Sequence, residues 1–245
     1  MENFKLILAY DGSRYDGWQK QGNTDATIQG KLEGVLSLLA GVPVELHGAG
    51  RTDAGVHARA QTASFRMDTD LSPAQLMAYL NRYLPEDIAV LDCQAAPPRF
   101  HARLSAKGKR YVYRLWTSEV PDVFQRKYLT PWPYALELED MRRAAALLTG
   151  THDFRAFCAN KRYKKSTVRT IQTIQIERLE NEVRFTFTGD GFLYHMVRIL
   201  TGTLVEVGMG ERAPDCIPAL LDSRSRQEAG RTMPAKGLIL DEVFY

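Results

Sequence analysis

Apolar and polar positions alternate from Phe4 to Tyr10, which predicts a first strand. The segment Asp11-Gly-Ser-Arg-Tyr-Asp-Gly-Trp18 then reads as turn. Ile28, Leu32, Val35, Leu36 and Leu39 recur at helical spacing, and Gly41 ends that stripe. Strands are expected over Val42–Leu46 and Gln61–Phe65. Ser72 has the chemistry of an N-cap, with Pro73 at the first helical position and Leu76, Leu80 and Leu84 along the buried side. Ile88–Gln94 is a further strand.

A second round follows. Lys109–Trp116 reads as a strand, and a stretch rich in proline and aromatics (Pro121, Pro131, Trp132, Pro133) leads to a helix from about Glu139 to Leu148, stopped by Gly150. Thr170–Glu177 and Glu182–Thr188 are predicted strands around a turn at Glu180-Asn181, with Val183, Phe185 and Phe187 on one face. A helix is expected from about Phe192 to Val207, stopped by Gly208 and Gly210, and Gly237–Phe244 is a last strand. Two rounds of similar content predict an α+β fold of two related α/β halves, residues 1–104 and 105–245. Asp11-Gly-x-x-Tyr15 is faintly echoed by Asp190-Gly-x-x-Tyr194.

A chain of 245 residues can bury a real core in either arrangement. With 44% hydrophobic and 25% charged residues it has the composition of a soluble globular protein rather than a disordered one. Its apolar runs are too short to span a bilayer, and Met-Glu-Asn-Phe-Lys lacks a secretory pattern, so a cytoplasmic protein is expected. Cys93, Cys158 and Cys216 lie far apart, and the five histidines show no paired ligand spacing, so neither a disulfide framework nor a metal site is expected.

The net charge of +3 permits a polyanionic partner without demanding one. The distribution says more. Lys107, Lys109, Arg110 and Arg114 cluster around Tyr111 and Tyr113; Lys161, Arg162, Lys164 and Lys165 surround Tyr163; Arg99 and Arg103 flank Phe100 and His101. Each cluster alone reads more readily as a solvated face beside core aromatics. Three of them suit a phosphate backbone with exposed bases. Between the two predicted strands at 42–46 and 61–65 lies Gly-Ala-Gly-Arg-Thr-Asp-Ala-Gly-Val-His-Ala-Arg-Ala-Gln, residues 48–61. So many small residues allow a close approach to the backbone, and they offer a single carboxylate, Asp53, beside Arg51. An aspartate among glycines more often turns a loop or caps a helix.

These blocks resemble the tRNA pseudouridine synthase A family. The likeness runs through Tyr10-Asp-Gly, Gly17-Trp-Gln19, Gly50-Arg-Thr-Asp-Ala-Gly-Val-His57, Leu80-Asn81 with Leu84-Pro85, and Phe100-His-Ala-Arg103 with Ser105-Ala106. It continues through Arg110-Tyr-x-Tyr113, Gly150-x-His-Asp-Phe154, Gly189-Asp-Gly-Phe-Leu-Tyr-His-Met-Val-Arg198 and Pro234-Ala-x-Gly-Leu238. The resemblance implies isomerisation of uridine to pseudouridine at positions 38, 39 and 40 of the tRNA anticodon stem-loop, by a homodimer that needs no cofactor. It implies mixed, largely antiparallel sheets flanked by helices, with the active-site cleft between the halves.

By resemblance, Asp53 is the catalytic carboxylate, acting as nucleophile or base. Arg198 is its ion-pair partner, Tyr111 stacks on the base and handles the C5 proton, and Leu238 packs on the other face of the base. Arg51 is expected to contact RNA phosphate or the flipped nucleotide. Residues two apart on an extended backbone share a side, which would put Arg51 in the same pocket. Tyr113 is expected to be structural. A non-catalytic RNA-binding protein would keep the basic clusters without needing Asp53, Arg198 and Tyr111 together. A hydrolase of N-glycosidic bonds would want a second acid, for which Asp190 or Asp11 are the candidates. Pro121–Pro133 and Lys161–Lys165 match no motif.

Overall fold

A computed structural model describes all 245 residues, which form ten strands and five helices in two compact units. The first unit is residues 1–107 with 239–245, and the second is 108–238. The division by chain order at 104/105 puts the closing strand with the second half. Its residues Ile239 and Leu240 instead pair in parallel with His57 and Ala58 of the first unit.

In the first unit, β1 (Glu2–Tyr10) runs antiparallel between β4 (Ile88–Ala95) and β3 (His57–Met67), and β10 (Leu238–Phe244) lies beyond β3. β2 is only Leu46–Gly48, later than the predicted Val42–Leu46. Pro43 has no N–H for a ladder, and the Val44 N–H is taken by Ser37 Oγ of α1 (Ile28–Ala40), so pairing starts at Leu46 against Phe65. β3 starts four residues before the predicted strand, because His57 and Ala58 pair with β10, and Ala58 with Tyr10 of β1, without a bulky apolar alternation to announce it.

α1 ends at Gly41, which takes φ +67°, as the sequence pattern predicts. Its buried face includes two polar residues. Gln29 donates to Glu33 and to the Leu46 carbonyl, and Glu33 accepts the Leu46 N–H at 3.1 Å, so the pair ties α1 to β2. α2 (Pro73–Tyr83) begins with a complete capping box between Ser72 and Gln75, an arrangement worth about 1 kcal/mol. Leu76 and Leu80 carry its apolar face against β4.

The second unit orders its antiparallel strands as β5 (Gly108–Trp116), β9 (Glu182–Gly189), β8 (Val168–Leu179) and β7 (Gly150–Asp153), with β6 (Thr130–Pro131) beside β5. Val183, Phe185 and Phe187 lie on one face of β9 as predicted, and that face is buried. α3 (Leu138–Leu148) packs on β8 and on α4 (Met196–Gly208). Gly150 does not cap α3; it takes φ +110° as the first residue of β7. α4 starts four residues later than expected, since His195 takes φ +61° and the preceding residues form a turn. Gly208 is its last residue rather than a stop, and its missing side chain makes room for Met141 of α3. α5 (Ile217–Ser223), β6 and β7 had no clear sequence signal at their length.

Candidate active site

Asp53 stands on a loop that is held from several directions within the first unit. The Gly50 carbonyl accepts from Gln61 Nε2 at 2.8 Å. The Thr52 carbonyl accepts the Trp18 N–H at 3.0 Å, and the Thr52 hydroxyl shares a 2.8 Å hydrogen bond with Tyr10. Gly55 donates to the Tyr15 carbonyl at 3.3 Å. Burial pushes the Tyr10 hydroxyl far above its ordinary pKa, against the smaller opposing effect of its hydrogen bonds to Thr52 and Gln61, so it stays protonated. Asp53 does open a turn, as the commoner fate of such a residue predicts. Its carbonyl accepts the Val56 N–H at 3.1 Å, and Gly55 at the third position takes φ +75°. That turn is closed by the main chain. Burial alternates here: Thr52 is buried, while Asp53 is half-buried and Arg51 exposed.

The glycines of the Asp11–Trp18 segment explain how the loop is seated. A side chain at Gly12 would lie 2.6 Å from the Val56 carbonyl carbon, and one at Gly17, which has φ +99°, would lie 2.7 Å from the Thr52 carbonyl oxygen. At Gly48 it would meet the Trp18 indole, 2.6 Å from Nε1. Close approach was the expected reason for these small residues, and part of what approaches is the protein's own chain. The Gly12 N–H donates to His57 Nδ1 at 3.0 Å, which also joins the end of the Gly-Val-His block to this segment. None of these supports was identified from sequence, although Tyr10, Gly12, Gly17 and Trp18 all lie in the first two matching blocks.

Tyr111, Arg198 and Leu238 belong to the second unit. Tyr111 sits on β5 opposite Phe187 of β9, nearly buried, with Phe192 edge-on to its ring at 5.2 Å between centroids. Arg198 is half-buried on the first turn of α4. Its Nε donates to the Met233 carbonyl at 2.6 Å, and its own carbonyl accepts the Met233 N–H at 3.2 Å. One residue on, the Pro234 carbonyl accepts the Tyr113 hydroxyl at 2.8 Å, which leaves that hydroxyl to accept from Thr130 at 2.7 Å. A side chain at Gly237 would lie 2.7 Å from the Tyr113 ring. Tyr113 and α4 thus hold residues 233–237 from both sides, and Leu238 follows directly, 5% exposed. Tyr113 is fully buried, and burial raises its pKa far beyond the effects of Thr130 and Arg198, which lower it.

Glu206, missed in the sequence, anchors the same segment. It accepts from the Arg231 N–H at 2.9 Å, from Arg231 Nε at 3.2 Å and from Arg212 Nε at 2.6 Å. Burial alone would raise its pKa, but these hydrogen bonds outweigh burial and hold it below the ordinary value.

The two candidate second acids are both engaged in local structure. Asp11 caps the 3-10 turn Gly12–Arg14 by accepting from Ser13 N at 2.9 Å, and Asp190 accepts from Thr170 N at 3.0 Å while its own N–H donates to the Thr170 carbonyl.

The family model for tRNA pseudouridine synthase matches residues 6–104 and 144–245, which include Asp53, Arg51, Arg198 and Leu238. Full-length relatives agree. Proteins named tRNA pseudouridine synthase A from Bacillus sp. (strain KSM-64) and Acetivibrio thermocellus are 44% and 46% identical over 245 residues, covering all of this chain and all of each relative. The protein of that name from Geobacillus sp. (strain WCH70) is 44% identical, covering all of this chain and 98% of the relative. This chain therefore belongs to the tRNA pseudouridine synthase family.

Proposed function

We propose that this chain isomerises uridine to pseudouridine in tRNA, at positions 38, 39 and 40 of the anticodon stem-loop, as a cytoplasmic homodimer. The observation that carries the reading is the Asp53 turn. Its backbone is fixed by Tyr10, Tyr15, Trp18 and Gln61, so Asp53 is held in one position.

The reaction breaks the bond from ribose C1′ to the uracil nitrogen, turns the base, forms a bond from C1′ to C5, and removes the C5 proton. Asp53 serves as nucleophile at C1′ or as base at C2′. Arg198 is the ion-pair partner of Asp53 in this reading. Its Nε donates to the Met233 carbonyl, which fixes the side chain on the first turn of α4. Tyr111 stacks on the detached uracil and handles the C5 proton, while Leu238 covers the other face of the base. Arg51, exposed two residues from Asp53, binds the backbone of the flipped nucleotide. Extrusion of the uridine costs a few kcal/mol, which contacts to other phosphates offset.

The engagement of Asp11 and Asp190 in local structure argues against a glycosidic hydrolase, which needs a second acid at C1′. The test is tritium release from C5-labelled uridine in a tRNA transcript, together with chemical mapping of pseudouridine. Release by the wild type that vanishes in Asp53→Asn supports the reading. No release by wild type sinks the enzyme, free uracil as product replaces it with the hydrolase, and modification elsewhere in the tRNA overturns the positions.

A further inference from the structure

Residues 154–176 contain six cations, Arg155, Lys161, Arg162, Lys164, Lys165 and Arg169, and no acid. The structure divides them into two groups. Arg155 and Arg169 turn inward and build the loop between β7 and β8. Arg155 donates to the Lys161 carbonyl at 2.8 Å and the Tyr163 carbonyl at 3.2 Å. Arg169 donates to the Tyr163 hydroxyl at 3.2 Å and the Ser166 carbonyl at 3.0 Å. Asn160 adds a local turn, accepting from Arg162 N at 3.0 Å. The other four side chains, Lys161, Arg162, Lys164 and Lys165, are exposed.

This loop is tied to the neighbourhood of Tyr111 and Arg198. Ala159 donates to the Tyr194 carbonyl at 3.1 Å, at the turn that leads into α4. A side chain at Gly191 would meet Arg169, 3.6 Å from its Nε, and Phe192 is the residue edge-on to Tyr111. Two arginines spent on main-chain carbonyls are a costly way to order a surface loop unless its displayed face has work to do. Asp153 reaches the loop through the Thr167 hydroxyl, but the four exposed cations form no ion pair with it; such cations suit a polyanion, and a pre-ordered loop loses little entropy on binding it.

We propose that the loop 159–167 is a phosphate-docking element. Lys161, Arg162, Lys164 and Lys165 contact at least two phosphates of the tRNA backbone beside the nucleotide that Tyr111 receives. The inference rests on the proposed tRNA substrate. It assigns these residues to positioning and not to chemistry or base reading.

The test is the variant K161Q/R162Q/K164Q/K165Q, compared with wild type for tRNA binding over a series of KCl concentrations and for tritium release at saturating tRNA. Losing two phosphate contacts lowers the slope of log affinity against log salt by about 1.4–1.8, and weakens binding by about 25- to 60-fold at about 0.1 M salt. KM is expected to rise with kcat unchanged, and the charge-keeping variant K161R/K164R/K165R is expected to bind as wild type does. An unchanged salt slope overturns the proposal, as does a kcat loss with unchanged affinity. A wild type that shows the loop-dependent slope yet releases no tritium removes the proposed reaction and leaves the docking loop standing.

Discussion

Gly12→Ala tests whether the Asp11–Trp18 segment sets the position of Asp53. Gly12 is not required for an unusual backbone conformation, so the substitution acts through space alone. The added carbon would lie 2.6 Å from the Val56 carbonyl carbon, and the neighbour is main chain, with no flexible side-chain end to swing away. Restoring an ordinary carbon–carbon separation of about 3.6 Å requires a shift of about 1 Å. Val56 is hydrogen-bonded to the Asp53 carbonyl, and Thr52, Gly55 and Asp53 form one tied turn, so the shift is passed to the carboxylate. Overpacking of this kind costs about 1–3 kcal/mol in stability. A displacement of about 1 Å in a catalytic group costs on the order of 100-fold in rate. The assay is single-turnover pseudouridine formation on a tRNA transcript, with thermal unfolding and tRNA affinity measured in parallel. The expected result is a fall of on the order of 100-fold in rate, a loss of a few degrees in Tm and unchanged tRNA affinity. Gly22→Ala, where nothing lies within 4 Å, is the matched control and is expected to be silent. A Gly12→Ala protein that loses stability but keeps the wild-type rate would refute the coupling between this segment and Asp53.

Tyr113→Phe removes the hydroxyl that links Thr130 to the Pro234 carbonyl, stranding the buried Thr130 hydroxyl at a cost of about 1–3 kcal/mol. A lower Tm with kcat reduced more than KM is expected, because the segment it holds carries the Met233 carbonyl and leads to Leu238; an unchanged Tm would exclude this role. Glu206 has a folded-state pKa below its ordinary 4.5, so its ionised form stabilises the fold above that pH, and the contribution is lost as pH falls through the depressed value. Thermal unfolding from pH 7 to pH 3 should show a shallower acid limb in Glu206→Gln than in wild type, reduced but not abolished because Glu182, held low by Arg114 and Arg184 against its burial, responds in the same direction; parallel limbs would contradict it.

Local chemistry was legible where a few adjacent residues decide the outcome. Ser72 as N-cap with Pro73 after it needs no tertiary help, although the reciprocal bond from Gln75 was not read, and Gly41 ends α1 by its left-handed backbone. The polar residues Gln29 and Glu33 point the other way. No periodicity rule buries them, yet they are buried because β2 offers them the Leu46 N–H and carbonyl. Elements that begin or end through distant partners were displaced for the same reason. β3 starts at His57 because β1 and β10 supply its ladder; α4 differs, since it waits until Met196 for a local reason, the left-handed conformation of His195. The family resemblance identified Asp53, Arg198, Tyr111 and Leu238 without saying what holds them. The Gly12–Val56, Arg198–Met233 and Tyr113–Pro234 contacts join residues tens of positions apart, and one chain read alone carries no record of them.

The small residues of the matching blocks take on a sharper meaning. A glycine-rich loop around an acid suggests room for a ligand, yet the spaces at Gly12, Gly17 and Gly48 are filled by Val56, Thr52 and Trp18 of the same unit. In the second unit Gly237 stands in the same relation to Tyr113, directly before Leu238. At each place the missing side chain lets two protein segments meet, and one of them carries a residue assigned to the reaction or leads directly to one. Isomerising a base without releasing it calls for groups that stay put while the substrate turns, because each ångström of play is lost orientation. A glycine that admits a protein atom supplies that rigidity, whereas a glycine that leaves open space would supply its opposite. Asp53 and Leu238, the residues proposed as catalytic carboxylate and apolar cover of the base, are thus secured by the same device, built separately in each unit.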